Sequence, residues 1–168
     1  MIFSTYLLES AKTAADLKEN NLVHYIFGMV GEYFGEVFTP VIMDGSKDDL
    51  IKEYGDFLWY FAGYCRERKI VINDLVTKPN KFKLSVSEAL GMLVEHEKKV
   101  LLGVKQFDVD HASFLCTNIY YSVAVTMMEV GSSIEYCMQK NIEKLAVRYP
   151  KGTFDLQDGK DKVDQNEG

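Results

Sequence analysis

Glu53 and Asp56 lie three residues apart in Lys52-Glu-Tyr-Gly-Asp-Phe-Leu-Trp-Tyr60, a stretch otherwise dominated by large apolar side chains. A second acidic pair, Glu32 and Glu36, lies in the similarly apolar run Gly28-Met-Val-Gly-Glu-Tyr-Phe-Gly-Glu-Val37. Charges in such surroundings are costly to bury unless something compensates them. A helix meets this constraint, because positions three or four apart share a face and aim both carboxylates one way. Between the pairs, Pro40 and Asp44-Gly45-Ser46 suffice to end one helix and start another antiparallel to it. Strand-like alternation is scarce along the chain. The expectation is an all-α fold, an antiparallel helical bundle.

Four carboxylates facing one another without a neighbouring His or Cys form a hard, oxygen-only donor set suited to Mg²⁺ or Mn²⁺. The bland alternative is a set of solvated charges on amphipathic helices. Two pairs interleaved with glycine and aromatic residues rather than lysine favour the metal site, and with it phosphate chemistry.

The two runs together resemble the MazG-like, all-α nucleoside triphosphate pyrophosphohydrolases, whose signature is E-x-x-E, a spacer, then E-x-x-D. Asn141-Ile-Glu-Lys-Leu-Ala-Val-Arg-Tyr-Pro150 resembles the N-x-x-K-L-x-x-R-Y-P element near the end of that family's domain. The resemblance covers roughly residues 20 to 150. It implies Mg²⁺-dependent hydrolysis of a nucleoside triphosphate, as a deoxynucleotide, to the monophosphate and pyrophosphate. Glu32, Glu36, Glu53 and Asp56 are the implied metal ligands. Glu36 and Glu53 are the candidates for the base that takes a proton from water, and Tyr60, Asn141, Lys144 and Arg148 for substrate contacts.

One departure stands out. This chain reads Glu32-x-x-x-Glu36, one residue longer than the family pattern. A π-bulge absorbs one extra residue and is frequent at functional sites; alternatively, both glutamates reach a metal from successive turns. Glu36 keeps its order relative to the second motif, so it is the ligand expected first. The shifted motif leaves a second class of function open, a noncatalytic nucleotide-binding or regulatory protein of the same fold.

Helices are expected over Phe3 to Lys18, about Val23 to Val37, and Lys47 to about Lys69, with shorter pieces around Asn73 to Leu84. Gly28, Gly31 and Gly35 each cost about 1 kcal/mol in a helix relative to Ala, which suggests close approach by another backbone or a ligand. The second half of the chain echoes the first. Gly28–Val37 aligns on Gly91-Met-Leu-Val-Glu-His-Glu-Lys-Lys-Val100, and Asn80-Lys-Phe-Lys-Leu84 on Asn141-Ile-Glu-Lys-Leu145. Glu32 then falls on Glu95, Glu36 on Lys99, Glu53 on Leu115 and Asp56 on Asn118. The second copy (88–150) has lost three of the four acids of the first (24–84), and the pair is expected to pack as an internal pseudo-dimer.

A chain of 168 residues with 47% hydrophobic and 26% charged residues fits one globular domain, here 1–152, followed by a polar tail over 153–168 expected to be disordered. The net charge of −6 argues against a nucleic-acid partner. No apolar stretch reaches membrane-spanning length, and no signal peptide is evident. Cys65, Cys116 and Cys137 are too few and scattered for a disulfide framework or zinc site, which suits reduced thiols and a cytoplasmic location. His24, His96 and His111 share no ligand spacing, Asp108-Val-Asp-His111 is a lone D-x-x-H, and Trp59 reads first as core. Association of copies into a homo-oligomer stays open.

Overall fold

The computed structural model describes residues 1–14, 17, 20–41, 45–72 and 84–150. Within them the chain is all-helical: α1 Phe3–Ala11, α2 Asn21–Gly31 running on into a π-helical segment Glu32–Val41, α3 Lys47–Glu67, α4 Val86–Leu101, α5 Val109–Glu129 and α6 Ile134–Arg148. The expected helical pieces at 73–83, the Asn80 echo, Asp44 and the tail at 153–168 lie outside the described residues. Among the described residues, no helix is long and apolar enough to cross a membrane.

Local chemistry starts most of these helices. Ser46 caps α3 and Ser85 caps α4, each in a reciprocal box with the acid three residues on, Asp49 and Glu88. Asp108 and Ser133 accept backbone N–H groups at the starts of α5 and α6. Gly131, at φ 67°, makes the turn between α5 and α6 in the left-handed region where other residues are strained.

α1 ends at Ala11, well short of Lys18. Thr13 explains the early stop: its hydroxyl donates to the Ser10 carbonyl at 3.2 Å and accepts the Trp59 indole N–H at 3.0 Å. Such side-chain bonds compete with helix propagation, and a tertiary partner decides the competition here.

α2 and α3 pack antiparallel. A Cβ on Gly28 would lie 2.0 Å from a ring atom of Tyr60, and one on Gly63 would lie 2.1 Å from the ring of Tyr25. The two glycines thus admit two aromatic rings from opposite helices. Gly31 and Gly35 have nothing within 4 Å of a built Cβ, so close approach accounts for Gly28 alone of the three expected glycines.

α4 and α5 form a second antiparallel hairpin, on which Leu84 accepts the Ser122 hydroxyl at 2.8 Å. α6 returns to lie parallel to α3, with the Cys137 thiol donating to the Ile51 carbonyl at 3.1 Å. The core joins both hairpins: Phe3 of α1 touches the rings of Phe61 on α3 and Tyr120 on α5, among fully buried Tyr6, Phe57, Leu90, Leu115 and Ile119. Cys65, Cys116 and Cys137 are buried and unbridged.

Candidate metal centre

Ten residues from Glu32 to Val41 wind as π-helix, a longer stretch than the single bulge that one extra residue requires. Tyr33 anchors this segment. Its ring packs on Tyr54 and Phe57 of α3, and its hydroxyl meets the Ser87 hydroxyl at 3.1 Å. The hydrogen bonds of this segment close five residues on rather than four. Glu32 is half-buried against α3, while Glu36 is exposed.

Glu32, Glu53 and Asp56 converge. Each offers a carboxylate oxygen within 4.8 Å of the others, and all three are half-buried. Among the described residues this is the one group of three potential ligands close enough to share an ion. Glu36 stays outside the triad, yet near enough that its charge helps raise the Glu32 pKa. The spacing argument ranked Glu36 above Glu32; the geometry brings Glu32 into the cluster instead.

Partial burial and the neighbouring carboxylates of Asp56, Glu53 and Glu36, in that order, push the Glu32 carboxyl up to about 7; the Lys144 ammonium opposes them. Like charges crowded in a half-dry site resist joint ionisation. A divalent cation relieves that repulsion, and an all-carboxylate oxygen set suits Mg²⁺ or Mn²⁺. The residues present therefore fit the hard cation expected from the motif.

α6 supplies the cationic and amide side. The Lys144 ammonium and the Asn141 amide both donate to Asp56 Oδ1, the latter at 3.0 Å. Gly55 lets α6 come this close, since a Cβ there would lie 3.1 Å from that of Asn141. Asn141 is buried, and its own carbonyl accepts the hydroxyl of fully buried Tyr6 at 2.7 Å. Sequence reading missed Tyr6. Its only signal was a polar tip on the face of α1 that also carries Phe3. Lys52, also missed, donates to Glu53 at 2.7 Å.

A cavity of about 320 Å³ opens directly off the triad, with Glu32 and Asp56 in its wall. His24, Trp59, Tyr60, Arg148 and Tyr149 make up most of the remainder, so Tyr60 and Arg148, the candidates for substrate contact, both border it. Trp59 is only partly buried and joins the cavity wall as well as the core. Burial lowers the His24 pKa, which keeps that imidazole neutral at neutral pH.

The residues that the sequence alignment sets opposite Glu32 and Asp56 are arranged differently. Glu95 is exposed and pairs with Lys98 and Lys99 of its own helix. Asn118, opposite Asp56 in the alignment, is buried with its amide donating to the Phe114 carbonyl at 2.8 Å. His96 and His111 approach within 5.3 Å between ring centres, but His96 spends Nε2 on the Asp108 backbone N–H.

No protein-family model matches the chain, and no curated protein or solved structure proves similar to it.

Proposed function

We propose that this protein is a metal-dependent nucleoside triphosphate pyrophosphohydrolase of the MazG-like kind. The observation that carries the reading is the convergence of Glu32, Glu53 and Asp56 from two antiparallel helices beside a cavity bordered by aromatic residues and Arg148. Glu32, Glu53 and Asp56 would hold Mg²⁺ or Mn²⁺. When bound, the cation supplies neutralisation of phosphate charge and acidification of water.

The chain's own residues supply the rest. Tyr60, Trp59 and His24 give the cavity a largely uncharged, ring-lined wall suited to a sugar and base. Arg148 and Lys144 share one face of α6 and offer cationic donors to phosphate oxygens. Water attacks the α-phosphorus, the bond to the bridging oxygen breaks, and pyrophosphate leaves with the electron pair. Glu36, exposed at the edge and outside the triad, is the carboxylate free of cation to accept the water's proton, with Glu53 as the alternative.

The same reading makes the two halves degenerate repeats forming an internal pseudo-dimer. In its support, α3 and α5 are both 21 residues long. Glu53 and Leu115 stand at the same distance from their helix starts, as do Asp56 and Asn118. Segments that follow each hairpin also meet equivalent residues: the Asn141 amide donates to Asp56, and the Leu84 N–H donates to the Asn118 side-chain oxygen at 3.4 Å.

A panel of ribo- and deoxynucleoside triphosphates incubated with Mg²⁺ or Mn²⁺, resolving pyrophosphate from orthophosphate, tests the function. Release of pyrophosphate and monophosphate in equal amounts is expected. Nucleotide binding with no turnover across the panel would favour a noncatalytic regulatory protein, and orthophosphate release would overturn the assigned cleavage position.

A further inference from the structure

We propose that a second cavity, across the α3–α6 contact from the first, is an anion subsite for a pyrophosphate unit: inorganic pyrophosphate or the terminal diphosphate of a nucleotide. The proposal rests on the metal-centre reading above. This cavity has a volume of about 380 Å³ and lies between the first half of α3 and α6. Lys52, Lys140 and Lys144 line it with Tyr136 and the Asn141 amide; among the described residues Asp48 is the one carboxylate in its wall.

Its position follows from the parallel course of the two helices. Ile51 meets Cys137, and Asp56 meets both Asn141 and Lys144, so the two helices keep a constant register along their length. The ring-lined cavity takes its walls from Asp56 to Tyr60 and Leu145 to Tyr149. The lysine-lined cavity takes its walls from Asp48 to Lys52 and Tyr136 to Lys144. Lys52 and Tyr60 are eight residues apart, about 12 Å along a helix, the scale of an extended triphosphate with its sugar. Glu53 and Asp56 sit between. A nucleotide laid along the helix pair with its base among the rings places its α-phosphorus at the carboxylates and its terminal phosphates among the lysines.

Charge pairing gives the subsite its condition. As the side chains stand, Lys52 is held by Glu53 and Lys144 by Asp56. With all three carboxylates of the triad ionised, these two ammonium groups leave one negative charge. A divalent cation on Glu53 and Asp56 turns that into one positive charge, and both lysines lose their neutralising partners beside the cavity. Lys140, at its far wall, adds a third ammonium, shared with Glu143 at 2.8 Å. The subsite therefore takes its anion with, and not before, the cation. A multiply charged diphosphate satisfies three ammonium groups better than orthophosphate does.

Calorimetric titration with inorganic pyrophosphate, in Mn²⁺ and in its absence, tests this on the wild-type chain and on Lys52→Gln/Lys140→Gln. Wild-type protein is expected to bind pyrophosphate only with the cation, and the double variant about ten- to a hundredfold more weakly, the loss expected for one or more charged hydrogen bonds. The variant's Mn²⁺ affinity without pyrophosphate should match or exceed that of wild type, because Lys52 no longer competes for Glu53; this also shows that it folds. Equal pyrophosphate affinity in the two proteins overturns the subsite, as does a wild type that binds none. Lysine-dependent pyrophosphate binding by a wild type that takes up no Mn²⁺ keeps the subsite and overturns the metal reading instead.

Discussion

The hydroxyl of Tyr6, on the first helix, donates to the side-chain carbonyl of Asn141, on the last, at 2.7 Å in the buried core. That bond fixes which way the Asn141 amide faces. With its oxygen turned to Tyr6, its nitrogen must face Asp56, where it donates at 3.0 Å. Residues 135 positions apart thus orient one carboxylate of the proposed metal centre.

Tyr6→Phe keeps the ring and removes the donor. An unpaired buried amide carbonyl costs about 1–3 kcal/mol, to be read as a lower urea midpoint at unchanged slope. Asn141 can then rotate, and Mn²⁺ affinity should fall several-fold with it. A variant destabilised to this degree but with wild-type Mn²⁺ affinity would leave Tyr6 a purely structural residue.

Glu32→Gln separates a metal centre from an ordinary ion-pair cluster. Removing one of three crowded carboxylates relieves repulsion, so the metal-free variant should melt at or above the wild-type temperature at pH 8. It should also lose the rise in melting temperature that Mn²⁺ gives the wild type. Asp56→Asn is the less clean change, since it also dismantles the contact with Lys144. A Glu32→Gln variant that melts lower and still gains from Mn²⁺ contradicts the assignment.

The raised Glu32 pKa has a pH signature. Its carboxyl holds its proton to about 7 in the folded chain against an ordinary value of 4.5. Folded protein thus binds more protons than unfolded protein between these values. The contribution is fully present below pH 4.5 and is lost as pH rises through about 7. Metal-free wild type should lose stability over that window, and Glu32→Gln should not. Mn²⁺ affinity should rise over the same window, because the ligand must shed its proton. Melting curves and metal titrations from pH 5 to about 8 check both.

Gly28→Ala tests how the aromatic wall is set. The new Cβ would fall 2.0 Å from Tyr60 Cδ1, so the ring or the helix must move. Overpacking of this kind costs about 1–3 kcal/mol, and nucleotide KM should rise with it. Gly31→Ala, where nothing lies within 4 Å, should instead stabilise the helix by up to about 1 kcal/mol. Equal effects at the two positions would argue against close packing as the reason for Gly28.

Glu95→Gln is the control for asymmetry between the halves. Glu95 is exposed and engaged with Lys98 and Lys99. Its loss should leave Mn²⁺ affinity and turnover at wild-type levels. A second Mn²⁺ bound near Glu95 in a soaked crystal would contradict a single centre in the first half.

The helical character of the chain and the pairing of Glu53 with Asp56 were legible in the sequence, because both follow from interactions within one or two turns. Helix periodicity, the start at Ser46 and the three-residue spacing of the second acidic pair need no distant partner. The other outcomes depend on contacts far along the chain. Thr13 stops α1 because Trp59 bonds its hydroxyl. Glu32 rather than Glu36 joins the triad in a π-wound segment that Tyr33 pins to α3. Tyr6 reads as one more core aromatic until α6 folds back to put Asn141 against it. Local spacing determines which residues can share a face; only the packing of one face on another decides which of them meet.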